Sequence, residues 1–158
     1  MGNKVKVTSY TEGKVRFYLP ELRVNRLFEK YGQTYLFDAD TLEEMFYYPS
    51  VEKLFRNGLF KIEDKELNIK LGLEEEDGEP AQEVIAPISD STILAYLKIK
   101  TADEFKTFVE ELPREQQNRF VDMAIKNKIT DYEKITFLKK ITGRDVIKII
   151  EINASDEE

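Results

Sequence analysis

The sequence predicts an α+β fold: a small N-terminal antiparallel β module with short helices, followed by a C-terminal bundle of four or five short helices. Three observations carry this reading. Apolar and polar residues alternate with period two through much of residues 4–37. Beyond residue 89 the apolar residues recur at three- and four-residue spacing, the period of a helix with one buried stripe. Between the two lies an acidic stretch with Gly and Pro and almost no apolar side chains.

In chain order, residues 4–8 (KVKVT) and 14–18 (VRFYL) alternate, and the intervening SYTEG supplies turn chemistry, so the pattern predicts a half-buried β-hairpin. Pro20 ends the second strand because it has no amide hydrogen for a ladder. Val24, Leu27 and Phe28 fit either a third strand or a short helix, with strand favoured, and Tyr31-Gly32-Gln33 turns the chain into a further β-rich run, QTYLF. Four such strands make a small antiparallel sheet or an open barrel. Asp40-Thr41-Leu42-Glu43 matches a capping box, with Asp40 as the cap of a short helix that stops at Pro49. Ser50 can cap a second helix with Val51, Leu54 and Phe55 on one face, ended by Asn57-Gly58. Residues 59–62 add a final strand, and Asp64 to Leu71 reads as a short helix closed by Gly72.

Residues 74–83 (EEEDGEPAQE) hold six acids and no apolar side chain larger than Ala, too little to offset the entropy of ordering. The predicted organisation is therefore a β-rich module over 1–73, an acidic linker over 74–88, a helical bundle over 89–153 and a frayed tail over 154–158. An acidic recognition tract is the functional alternative for the linker. In the bundle, Ser89 or Asp90 caps a helix using Ile93, Leu94 and Leu97. Thr101 and Glu104 form a capping box ahead of Phe105, Phe108, Val109 and Leu112. Pro113 opens a helix that buries Phe120, Val121, Ala124 and Ile125. Thr130 and Glu133 form a further box before Ile135, Leu138 and Ile141, and Gly143 stops that helix two residues before DVIKIIEI, whose β-branched residues also suit a strand but whose isolation from other strands favours a last helix. Each fully buried Phe, Leu or Ile contributes roughly 1.5–3 kcal/mol, so packing, not intrinsic propensity, must hold helices this short.

Composition restricts the chemistry. The 158 residues carry 24 Lys plus Arg against 31 Asp plus Glu, net −7, with 41% apolar residues, enough for a core. There is no Cys, His or Trp. Disulfides, thiolate or imidazole metal sites, a Ser-His-Asp triad and the usual base near neutral pH are thereby excluded. The carboxylate pairs Glu43-Glu44, Glu110-Glu111 and Glu74 to Asp77 stand in polar runs, where solvated surface is expected. Neither a DxDxDG loop nor a GxxxxGK[ST] or GxGxxG motif is present. The expectation is a non-enzymatic protein with no cofactor, metal or small-molecule substrate. No apolar run approaches bilayer length, and the start MGNKVKVTSY lacks the apolar stretch of a signal peptide. Lys6 stands where a myristoylation signal needs Ser or Thr, so the chain reads as soluble and intracellular at synthesis.

Charge is uneven: net +4 over residues 1–30, −9 over 31–88 and −2 over 89–158. The basic start is either a set of solvated strand faces or a docking surface for an acidic partner. Arg16, Arg23 and Arg26 are interleaved with Phe17, Tyr18, Phe28 and Tyr31, a mixture that can stack on and neutralise single-stranded nucleic acid. Core aromatics with arginines on the opposite strand face give the same pattern. The helix–Gly–helix spacing of DYEKITFLKKITGRDVIKII is that of a helix-turn-helix, but its second segment offers only Arg144 and Lys148 to bases. The aromatic corner MFYYPSVEKLF is the stronger interaction candidate, set against a role as satellite core. The candidate interaction surface is thus Arg16, Tyr18, Arg23, Arg26, Phe46, Tyr47 and Tyr48.

Two stretches, LEEMFYYPSVEKLFRNGLFKIEDKELNIKLGL and LPREQQNRFVDMAIKNKITDYEKITFLKKITGRDV, together with the β-rich start, resemble a group of small uncharacterised virion-associated proteins of phages and prophages of Firmicutes. In that group a helix ends in an aromatic-Tyr-x-Pro motif, here Phe46-Tyr47-Tyr48-Pro49, commonly followed by Gly-Gly, whereas Ser50-Val51 follow Pro49 in this chain. The resemblance implies an accessory structural or virion-assembly protein acting through protein–protein contacts, present in the host cytoplasm during assembly and then in the particle. Its partners would be other virion proteins or further copies of itself, not membrane; net charge −7 argues against nucleic acid. No catalytic residue follows from it. The rivals are a phage-encoded nucleic-acid-binding regulator using the basic hairpin, an inhibitor of a host or defence protein, and a carboxylate-only hydrolase needing two buried acids in one cleft.

Overall fold

The computed structural model describes residues 3–156, in two compact units divided after Ile88. The fold is α+β: an N-terminal unit of antiparallel sheets with short helices and a C-terminal unit of helices.

In the first unit β1 (Lys4–Ser9) lies at the centre of a three-stranded antiparallel sheet between β4 (Thr34–Asp38) and β5 (Phe60–Ile62). Val7 pairs with Tyr35 on one side and Ile62 on the other. β2 (Val15–Leu19) and β3 (Val24–Phe28) form a separate hairpin around a 3-10 turn, Pro20–Leu22, closed by Arg23 in the left-handed region at φ 58°. The hairpin expected between residues 4–8 and 14–18 is therefore absent. Ser9 exchanges backbone bonds with Gly32 and Gln33, while Lys6 and Tyr10 bond Glu63 and Leu59. Both edges of β1 are thus occupied, and β2 pairs with its near neighbour β3. Phe17 and Phe28 from the hairpin interlock with Phe37 and Phe60 from the sheet, with the Phe28 and Phe60 ring centroids 4.9 Å apart. Edge-to-face pairs of this kind stabilise by roughly 0.5–1.5 kcal/mol beyond the area they bury.

Helix α1 (Ala39–Met45) follows β4 without a gap, and its cap position is Asp38, not Asp40. No side chain caps it, because the ladder runs straight into the helix: the Ala39 amide donates to the Asn3 carbonyl at 2.8 Å, and the Asp38 carboxylate pairs with Lys4. Helix α2 (Pro49–Arg56) starts at Pro49, whose missing amide hydrogen costs nothing there, so Ser50 lies inside the helix and does not cap it. Val51 and Phe55 are buried and Leu54 is half-buried. Asp64 caps α3 (Lys65–Lys70) by accepting from the Leu67 amide at 2.9 Å, and buried Asn68 donates to the Ile62 carbonyl.

The stretch expected to be a linker, 74–88, belongs to the first unit. A tight turn with Gly78 at φ 91° bridges Glu74 to Pro80. The Ala81 amide bonds the Leu73 carbonyl, the Ile85 amide bonds the Arg56 carbonyl at 2.7 Å, and Val84 packs against the core. The acids tip the turn outward, and the aliphatic residues just after them supply the anchor.

The second unit has five helices: α4 (Asp90–Lys98), α5 (Ala102–Glu110), α6 (Arg114–Lys126), α7 (Tyr132–Thr142) and α8 (Val146–Asp156). Ser89 and Thr101 cap α4 and α5 through the amides three residues on. The cap of α7 is Asp131, which accepts from the Lys134 amide, and not Thr130. Gly143, at φ 78°, ends α7 in the left-handed conformation that glycine adopts without steric cost. The core contains Ile93, Leu97, Phe105, Val109, Phe120, Val121 and Leu138, with Phe105 edge-on to Phe120. Residues 154–156, expected to fray, continue α8; 157 and 158 lie outside the described residues.

This core also buries two cations. Lys134 is 2% exposed, and its Nζ donates to the carbonyls of Tyr96, Leu97 and Lys100, the open C-terminal end of α4. Arg119, equally buried, donates to Gln116 and pairs at 3.0 Å with Asp90 in the first turn of α4. A short helix leaves its terminal amides and carbonyls without intrahelical partners. Here a carboxylate sits at the positive end of α4 and an ammonium at the negative end, each complementing the helix dipole.

Candidate interaction surface

The hairpin positions the basic residues by its register. Arg16 pairs with Leu27 and Tyr18 with Asn25, which puts these four side chains on the outer face, while Phe17, Val24 and Phe28 turn to the core. Arg16 is fixed along that face by a 2.7 Å bond to the Asn25 side chain, and Tyr18 is 57% exposed. Arg26 is opposite Phe17 and so lies on the other face, where its guanidinium reaches over the Tyr35 ring at 5.7 Å. Arg23 is exposed at the turn. Among the described residues Arg16, Arg23 and Arg26 form no ion pair, whereas Arg56, Arg119 and Arg144 each hold a carboxylate.

The aromatic corner divides between core and surface. Phe46 packs inward, its ring 5.0 Å from Phe55 and tilted against it, and Tyr48 is half-buried with its hydroxyl donating to Glu21 at 3.1 Å. That bond to a carboxylate raises the Tyr48 pKa above the ordinary phenol value, reinforced by partial desolvation and by the charges of Glu21 and Glu44. Tyr47 between them is 85% exposed. Because Glu21 belongs to the 3-10 turn at the end of β2, the Tyr48 bond ties the corner to the hairpin and joins two separate sequence features into one region. Arg16, Tyr18, Arg23 and Tyr47 are accessible there; Phe46 and Tyr48 support it, and Arg26 faces elsewhere.

Other surfaces offer less. On the outer face of the three-stranded sheet Lys4 and Lys61 are neutralised by Asp38 and Glu63, leaving Lys6 and exposed Leu36. Beside β5 the turn after α3 covers a cleft of about 280 Å³, lined by Tyr10, Phe60, Ile62, Leu73 and Val84 with Asn68 and Glu74. No local sequence signal marks this cleft, because its walls come from segments far apart in the chain. Arg144 is tied to Asp122 at 2.7 Å, so the helix–Gly–helix segment does not present it to a base edge. No Asp or Glu is among the buried residues, and no group of His, Cys, Asp or Glu among the described residues could hold a metal ion. No helix among them is long and apolar enough to cross a membrane.

Comparison of the chain with protein families, curated proteins and solved structures finds no match. Fold and surface define its class: a two-unit α+β chain whose most distinctive exposed feature is an arginine–tyrosine face on a β-hairpin.

Proposed function

We propose that this protein is a non-enzymatic binding module that acts through protein–protein contacts, as an accessory structural or assembly component of a phage particle. The observation that carries the binding role is the outer hairpin face: Arg16 and Tyr18 side by side, Arg23 at its turn, none of the arginines ion-paired among the described residues, in a chain of net charge −7. Tyr and Arg are the side chains that concentrate binding energy at interfaces, since they combine large contact area with directional donors. The particle setting rests on the resemblance of residues 42–73 and 112–146 to virion-associated proteins. Among the described residues no Asp or Glu is buried, which weighs against the hydrolase, since that chemistry needs a desolvated acid.

Mass spectrometry of purified particles tests this. The chain is expected at a fixed copy number, falling at least tenfold in particles assembled with the Arg16→Glu/Tyr18→Ala variant. Absence of the wild-type chain from particles overturns the proposal. The same unpaired arginines favour a second reading, the nucleic-acid-binding regulator. Tight binding of a labelled single-stranded oligonucleotide, falling steeply with salt as phosphate contacts require, would select it. Co-purification with one host protein instead of particles would select the inhibitor.

A further inference from the structure

Strand β5 is paired along one edge only, and its other edge borders the cleft beside α3. The Tyr10 amide bonds the Leu59 carbonyl and the Glu63 amide bonds the Lys6 carbonyl, so Leu59 and Glu63 turn these backbone groups toward β1. Bonded and non-bonded pairs alternate along an antiparallel ladder. Lys61, opposite Thr8, therefore also bonds toward β1, whereas Phe60 and Ile62, opposite Ser9 and Val7, direct their amides and carbonyls outward. The Ile62 carbonyl accepts the Asn68 side-chain amide at 2.8 Å. Among the described residues the Phe60 amide, the Phe60 carbonyl and the Ile62 amide have no hydrogen-bond partner, although both residues are only 1% exposed. The carboxamide oxygen of Asn68, a residue 8% exposed, is equally without a partner among them. Buried backbone and amide groups are seldom left in this condition.

Phe60, Ile62 and Asn68 all line the cleft of about 280 Å³, whose remaining walls are mostly apolar: Phe55, Leu73, Pro80, Val84 and Ile85. Of its two charged residues, Lys61 pairs with Glu63, while Glu74 makes no ion pair among the described residues. Glu74 also borders an adjoining groove lined by Glu75, Glu76 and Asp77, and none of these is ion-paired among the described residues either. An amide, a carbonyl and an amide in series along one edge are the complement of another extended chain, and the acids beside them select a cation. The three residues of β5 offer roughly 10 Å of edge, so the segment held is short. We propose that this edge takes a short, extended, basic peptide segment of a partner protein as an added strand. The segment's backbone pairs with Phe60 and Ile62, an apolar side chain rests against Leu73 and Val84, and a Lys or Arg reaches Glu74 and the Asn68 oxygen. This site does not depend on the outer hairpin face or on the particle setting.

The test is an amide NMR titration of the full chain with the peptide KVKVT, the sequence of residues 4–8, which is basic, alternates and already pairs with β5 along its other edge. Added to about 1 mM, it is expected to shift the Phe60 and Ile62 amides first and to slow their hydrogen exchange roughly tenfold. The acidic counterpart EVEVT, and KVKVT methylated on its backbone amides, are each expected to bind at least about tenfold more weakly. Ala86 lines the cleft and is exposed, so Ala86→Trp fills the site from outside the core and should weaken binding roughly tenfold or more. Glu74→Gln should weaken it several-fold. The two altered peptides keep the test decisive if either substitution disturbs the fold. No shift at Phe60 and Ile62 up to the highest concentration overturns the proposal. Equal binding of either altered peptide overturns it too, as does indifference to either substitution in a folded variant. Arg16→Glu is expected to leave peptide binding unchanged, which keeps this result separate from that of the particle experiment.

Discussion

The two units bury polar groups in different ways. In the sheet unit the buried polar side chains are Ser9 and Asn68, both neutral; in the helical unit they are Gln116, Arg119 and Lys134. A sheet satisfies its backbone along the ladder, so side chains need only tidy an end, as Asn68 does for the Ile62 carbonyl. Helices of nine to thirteen residues expose a large share of their amides and carbonyls at their ends, and a tight bundle brings those ends inside. Charged donors then belong in the core, because an ammonium brings three protons to a cluster of carbonyls that water no longer reaches.

Substitutions that remove each kind of group sharpen this contrast. Lys134→Met keeps the bulk but strands three carbonyls, and is expected to cost about 3–5 kcal/mol by denaturant unfolding of the full chain. Asn68→Leu, which strands one carbonyl, should cost about 1–2 kcal/mol. Equal losses would break the comparison. Next in size is the cap of α7: Asp131→Ala should cost about 1 kcal/mol and Thr130→Ala within about 0.5 kcal/mol of nothing, measured by the same unfolding curves. The smallest effect is in the first unit. The folded-state pKa of Tyr48 is raised, so its tie to Glu21 stabilises fully below the ordinary phenol range near 10 and fades as pH climbs through the raised value. Alkaline absorbance titration should therefore lose a late-ionising phenolate in Tyr48→Phe, and an unchanged late phase would place the tie elsewhere.

The helical unit was more legible in the sequence than the sheet unit, because a cap and a stripe are local. Thr101 with Glu104, and Phe105 with Val109, declare themselves within a turn or two. Strand pairing is not local: the alternation of residues 4–8 identified a strand, but nothing in it named residues 34–38 and 60–62 as partners over 14–18. Asp40 was misread for a related reason. Its capping box competes with a strand ladder that already supplies an acceptor, the Asn3 carbonyl, for the first helical amide, and the ladder prevails. At the surface, Arg16 and Tyr18 follow from period two alone, but Arg26 does not share their face. Phe46 and Tyr48 were candidates by composition, and only their contacts with Phe55 and Glu21 reveal that they brace the surface that Tyr47 presents. The buried Lys134 carried no signal, since a lysine beside Glu133 at a helix start looks like any solvated one.

The position of that lysine has a consequence for how the chain is made. The donor that closes α4 stands 34 to 38 residues further along than the carbonyls it serves. While the polypeptide emerges from the ribosome, α4 must wait through the synthesis of two more helices before its last turn can be completed.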